Sequence, residues 1–110
     1  MLTLPGNPRL FICQGVTDMR KSFEGLSVII EKAFPSELLS GAYFIFLNRR
    51  RDHMKVLYWD VDGFVIWYKR LEKGTFSRKE NLAPSICRRD FLMLLEGVEP
   101  KKINRRYNIA

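Results

Sequence analysis

Three runs of alternating bulky residues, with an Asp-Gly pair between the last two, constrain this chain more than any other feature. Ala42 to Leu47, Met54 to Asp60 and Phe64 to Leu71 are rich in Val, Ile, Phe, Tyr and Trp, the residues that suit a pleated, half-buried surface. Asp62-Gly63 stands between the second and third runs, and such a pair supplies the positive φ of a tight type I′ turn. The polar stretch Asn48 to His53, with Arg49, Arg50 and Arg51 at its tip, joins the first run to the second. The pattern predicts a three-stranded antiparallel meander.

With Asp62 and Gly63 as the turn residues, the register follows. Val61 faces Phe64, Trp59 faces Ile66, Leu57 faces Tyr68 and Lys55 faces Arg70. The opposite side of the sheet carries Asp60 with Val65, Tyr58 with Trp67, Val56 with Lys69 and Met54 with Leu71. Both sides are apolar near the turn, so helices are expected over at least one of them. Lys55 opposite Arg70 sets two like charges side by side, which is unfavourable unless solvent or an anion separates them.

At 110 residues the chain has room for one core. Residues 1–98 read as a single α+β domain and residues 99–110 as a basic tail. Arg9 to Cys13 is a further short apolar run and an expected strand. After it, Thr17 and Asp18 offer an N-cap. Met19, Phe23, Leu26, Ile30 and Ala33 then form one helical stripe that runs out before Pro35. The first helix is thus expected over Met19 to Phe34, with Phe23, Leu26 and Ile30 on the sheet and Gly25 at a close approach to it. Arg20 and Lys21 would stand in its first turn, where the helix dipole disfavours cations; an anion would relieve them, or Asp18 and Glu24 would. Pro35 to Gly41 is a short connection. Thr75 to Pro84 has no clear period and reads as a surface loop. Arg88 to Glu96 is the second helix, with Phe91, Leu92 and Leu95 docking on the sheet and Gly97 ending it.

The 19 Lys and Arg against 12 Asp and Glu give a net charge of +7. Such a balance suits an acidic partner, nucleic acid first, then an acidic protein or an anionic membrane. No run is long and apolar enough to span a bilayer and no signal peptide is visible, so the expectation is a cytoplasmic protein without membrane contact. Cys13 and Cys87 are isolated and His53 is the single histidine; both cysteines are read as reduced, partly buried packing residues, and no zinc-ligand spacing exists. Asp60, Asp62, Glu72 and Asp90 lack the spacing of a metal-dependent nuclease site, since the first two belong to a turn where Asp serves backbone hydrogen bonding. No nucleophile is paired with a base, and no glycine-rich phosphate loop is present. The residues therefore predict no catalysis, no metal and no cofactor.

Gly15-Val16-Thr17-Asp18-Met19-Arg20-Lys21-Ser22-Phe23-Glu24-Gly25-Leu26 resembles the GxTDMRKSFDGL signature of the accessory TnpB proteins of the IS-66 class of bacterial insertion sequences. The resemblance continues through Phe44-Ile45-Phe46, the arginine loop, Lys55 to Gly63, Trp67 to Gly74 and Leu94 to Gly97. It spans roughly residues 9–98; Tyr58 stands where the pattern often has tryptophan, and residues 75–87 match poorly. It implies a small non-catalytic protein that assists transposition beside a separate, larger transposase, which would carry the nuclease carboxylates. Two readings stay open. In one, Arg49, Arg50, Arg51, Lys55, Lys69, Arg70 and Lys73 meet DNA phosphates without sequence preference. In the other, the chain is an adaptor that holds the transposase without touching DNA, anchored by exposed aromatics such as Trp67 or Tyr68.

Overall fold

A computed structural model describes residue 2 and residues 4–76 and 84–96 of the chain. Most of the 75–84 stretch, Gly97 and the basic 99–110 tail lie outside the described residues. Five strands and two helices follow in the order β1 (Leu10–Ile12), α1 (Phe23–Ala33), β2 (Tyr43–Leu47), β3 (His53–Asp60), β4 (Gly63–Arg70), β5 (Ser85–Ile86) and α2 (Arg88–Glu96). They build one mixed sheet ordered β4-β3-β2-β1-β5. The meander β2-β3-β4 is antiparallel, as the alternating runs predict. β1 lies parallel to β2 and antiparallel to β5. Parallel neighbours need a crossover, and α1 supplies it.

Period-two alternation sends side chains to two apolar layers. Phe44, Phe46 and Leu57 pack with Leu26 and Ile30 of α1. Ile45, Leu47, Met54, Val56, Leu10 and Ile12 pack with Phe91 and Leu94 of α2 on the other side. Helices therefore cover both faces. Within the polar 75–84 stretch, Phe76 is fully buried in the α2-side core, and directly after the stretch Ser85–Ile86 forms the strand β5. Neither has a periodic signal, because one residue and a two-residue strand are too short to show one.

The hairpin turn sits one residue earlier than Asp62-Gly63. Asp60 pairs with Gly63, Trp59 with Phe64, Leu57 with Ile66 and Lys55 with Tyr68. Val61 takes the positive φ, 57°, and Gly63 does not. The Asp62 amide donates back to the Asp60 carbonyl, closing a γ-turn around Val61. A left-handed β-branched residue costs about 1–2 kcal/mol. In return, Trp59 meets Phe64 edge-on at 5.0 Å between ring centres. Leu57 meets Ile66, and Lys55 meets an aromatic ring instead of Arg70. Each matched cross-strand pair contributes roughly 0.2–1 kcal/mol, and together the pairs outweigh the turn. The shift moves both strands in step, so the side of the sheet each residue occupies is as expected.

The first helix starts four residues later than its stripe suggests. The buried Lys55 ammonium takes the carbonyls of Met19 (2.8 Å) and Lys21 (2.7 Å), which a helix from Met19 would need for its own hydrogen bonds. Asp18 closes a tight turn instead, accepting from the Arg20 amide at 2.9 Å. Ser22 becomes the N-cap, without a side-chain cap bond. Leu26 and Ile30 are core, whereas Phe23 is 43% exposed. A Cβ on Gly25 would meet the Lys21 side chain at 3.1 Å, not the sheet. In α2, Phe91 and Leu94 are buried and Leu95 is partly buried, while Leu92 faces outward. Cys13 is buried, which pushes its thiol pKa up to about 12, and Cys87 is exposed.

Candidate nucleic-acid interface

The loop between β2 and β3 is held by one side chain. Asn48 Oδ1 accepts from the amides of Asp52 and His53, each at 3.0 Å, and its Nδ2 donates to Asp52 Oδ1 at 2.7 Å. Its carbonyl accepts from Arg51 at 3.1 Å, and Arg51 adopts φ 58° to close the turn. The Asn48 amide holds the Asp52 carboxyl below the usual carboxylate range. Arg49 and Arg50 project from this fixed backbone as exposed residues. Arg51 is partly buried, and its carbonyl accepts from Phe76 at 2.7 Å, tying the segment after β4 to the loop.

Past the end of β1, the Thr17 amide donates to the Leu47 carbonyl at 3.0 Å. That bond brings residues 16–19 alongside the arginine loop. Val16, Thr17, Asp18, Met19, Asn48, Arg49, Arg50 and His53 then line an open groove of about 370 Å³. Arg20, its side chain 91% exposed, is clamped to Asp18 at 2.7 Å, and this pair lowers the Asp18 pKa to about 2.

Of the seven cations expected to contact phosphates, the sheet gathers most at one end. Arg70 is cross-strand from His53 at the base of the loop and is exposed, with Glu72 at 2.8 Å. Lys69 and Lys73 are exposed at the same end, Lys69 on the opposite face of the sheet from Arg70. Lys55 is different. It is 8% exposed, bonded to the two carbonyls before α1 and set 5.0 Å from the centre of the Tyr68 ring. It is a structural staple, not part of the exposed cluster, because its strand position points it under α1. Tyr68 is half exposed, with its hydroxyl 2.6 Å from His53 Nδ1. Trp67 is partly buried against the α2-side core. The contribution of Val16, Asp18 and Met19 to the groove had no local signal, since it arises from the parallel pairing of β1 and β2.

Among the described residues, no group of three or more His, Cys, Asp and Glu is arranged to hold a metal ion. No helix among them is long and apolar enough to cross a membrane. The architecture is that of a small α+β protein with a helix on each face of its sheet and a cationic end. The sequence model of the family described as "IS66 Orf2 like protein" matches residues 8–105, and the chain belongs to that family. Among curated proteins, it is 32% identical to the uncharacterized protein y4hO of Sinorhizobium fredii (strain NBRC 101917 / NGR234), over 90% of this chain and 88% of that one. It is 25% identical to the uncharacterized protein y4jC of the same strain, over 89% and 86%. No solved structure matches it. Membership associates the chain with an insertion-sequence class of mobile element and an accessory role in transposition.

Proposed function

We infer that the chain is a non-catalytic accessory protein of transposition that holds DNA through its phosphates. The observation that carries this reading is the exposure of Arg49 and Arg50 on a loop whose own carboxylate, Asp52, is engaged by Asn48. Arg70, Lys69 and Lys73 stand at the same end of the sheet. Rigid presentation matters because an arginine on a fixed backbone loses less freedom when it meets a phosphate. Nothing in this cluster reads base edges in an ordered array, so binding is sequence-tolerant. A separate transposase supplies the chemistry.

The test is salt-dependent binding to duplex DNA by the wild type and by Arg49→Ala/Arg50→Ala. Each lost phosphate contact flattens the log–log salt slope by about 0.9 on duplex DNA, so the double variant should lose about 1.8 from the slope and weaken on every sequence alike. Both positions are exposed, so stability should move by no more than about 0.5 kcal/mol. Unchanged affinity and slope would remove the loop from the DNA surface. A wild type that binds no duplex at low salt yet retains the element's transposase would replace this reading with that of an adaptor.

A further inference from the structure

β4 is the outer strand of the sheet, and among the described residues no strand pairs with its free side. One step past its end, the Leu71 amide donates to the Asp52 carbonyl at 2.7 Å. Odd-numbered residues of this segment therefore turn their backbone groups toward β3. The alternation of an antiparallel ladder then turns those of Phe64, Ile66, Tyr68 and Arg70 outward. Long open edges are normally blunted by proline, a bulge or a mid-strand charge. β4 has none of these: its eight residues pair one-to-one with β3, and Gly63 to Tyr68 contains no charge.

The geometry points to a second copy of this chain as the occupant of the β4 edge. A two-fold antiparallel pairing must set outward-facing residues opposite one another, which leaves two registers near the middle of the strand. With Ile66 on the axis, Phe64 faces Tyr68 of the second copy and Asp62 faces its Arg70, each contact occurring twice. With Trp67 on the axis, Arg70 would face Phe64. Charge selects the first register. Asp62 is exposed at the turn, and Arg70, though paired with Glu72, keeps a side chain 63% exposed. A guanidinium has donors enough for two carboxylates. The same strand thus carries an acid at one end and a cation at the other, with an aromatic and aliphatic centre, and it is complementary to itself when reversed. Pairing joins the two sheets into one of ten strands, with α1 of both copies on the same face.

The full chain, without nucleic acid, is tested by sedimentation and by hydrogen exchange resolved to single amides. The wild type should be a dimer in which the Phe64, Ile66 and Tyr68 amides are protected. Asp62→Arg and Arg70→Asp should each raise the dimer dissociation constant by about tenfold, as two attractive contacts become repulsive. Combined, they should restore most of the affinity, because the complementarity is reversed and not lost. A wild type that stays monomeric throughout its soluble range overturns the proposal, whether or not those amides are protected by another part of the chain. So does a dimer whose three amides exchange freely, or a combined variant no tighter than the single ones.

Discussion

Val61 is the one non-glycine residue that the β3–β4 turn forces into the left-handed region, at φ 57° and 88% exposed. Its side chain packs little, so replacing it loses only strain. Val61→Asn should raise stability by about 1 kcal/mol, because Asn tolerates this region. Gly63 should tolerate Val with a change within about 0.5 kcal/mol, since its φ is ordinary and a Cβ meets nothing within 4 Å. Denaturation midpoints of the two variants check both statements, and a loss at Gly63→Val larger than at Val61→Asn would return the turn to Asp62-Gly63. The Asp-Gly pair announced a tight turn and therefore a hairpin. It did not announce the turn's centre, because a one-residue displacement is decided by the cross-strand pairs and not by the turn. Lys55 escapes sequence reading for a related reason: a lysine in a cationic stretch looks exposed until the Met19 and Lys21 carbonyls that bind it are in place.

At the scale of whole elements, stripes and alternation located both main helices and the meander, and missed what depends on distant chain. α2 runs over the residues its stripe marks. α1 lost its first turn to the Lys55 ammonium, which comes from a strand thirty-odd positions away. The energetic weight of α1 accordingly lies in its later turns. Ile30→Ala should cost about 2–5 kcal/mol, the range for a large buried aliphatic truncation. Phe23→Ala should cost clearly less, as its ring is 43% exposed. Urea midpoints for the pair decide the matter, and equal losses would show that Phe23 is core after all. The parallel β1–β2 pairing could not be read either, since three residues of strand carry no mark of direction. With it went the groove, whose one wall is the segment following β1.

At the scale of the whole molecule, the carboxylates with clear shifts among the described residues are all depressed. Arg20 lowers Asp18 to about 2, the hydrogen bond from Arg9 lowers Glu37, and Asn48 lowers Asp52. A folded pKa below the unfolded one contributes stability that is complete above the unfolded value, about 3.9 for Asp and 4.3 for Glu. It is lost as pH falls through the folded value. Stability should therefore be level at neutral pH and decline from about pH 4 toward pH 2, with Asp18 titrating near the bottom of that window. Melting curves over this range, beside carboxyl chemical shifts for Asp18, check it. A Asp18 midpoint near 4 would mean the Arg20 clamp does not form in solution. These are surface groups, so added salt should shallow the decline.

The strand order also has a meaning for the chain as it is made. Of the described strands β1 is made first, yet its second neighbour, β5, is the last to appear. The α1-side layer needs nothing beyond Ile66, so it can close while the ribosome is still adding residues. The α2-side layer waits for Phe76, Ile86, Phe91 and Leu94. From the synthesis of Ile66 until that of Leu94, the nascent chain carries a finished face and an oily one together. That interval is when a chaperone, or an aggregating neighbour, would find it.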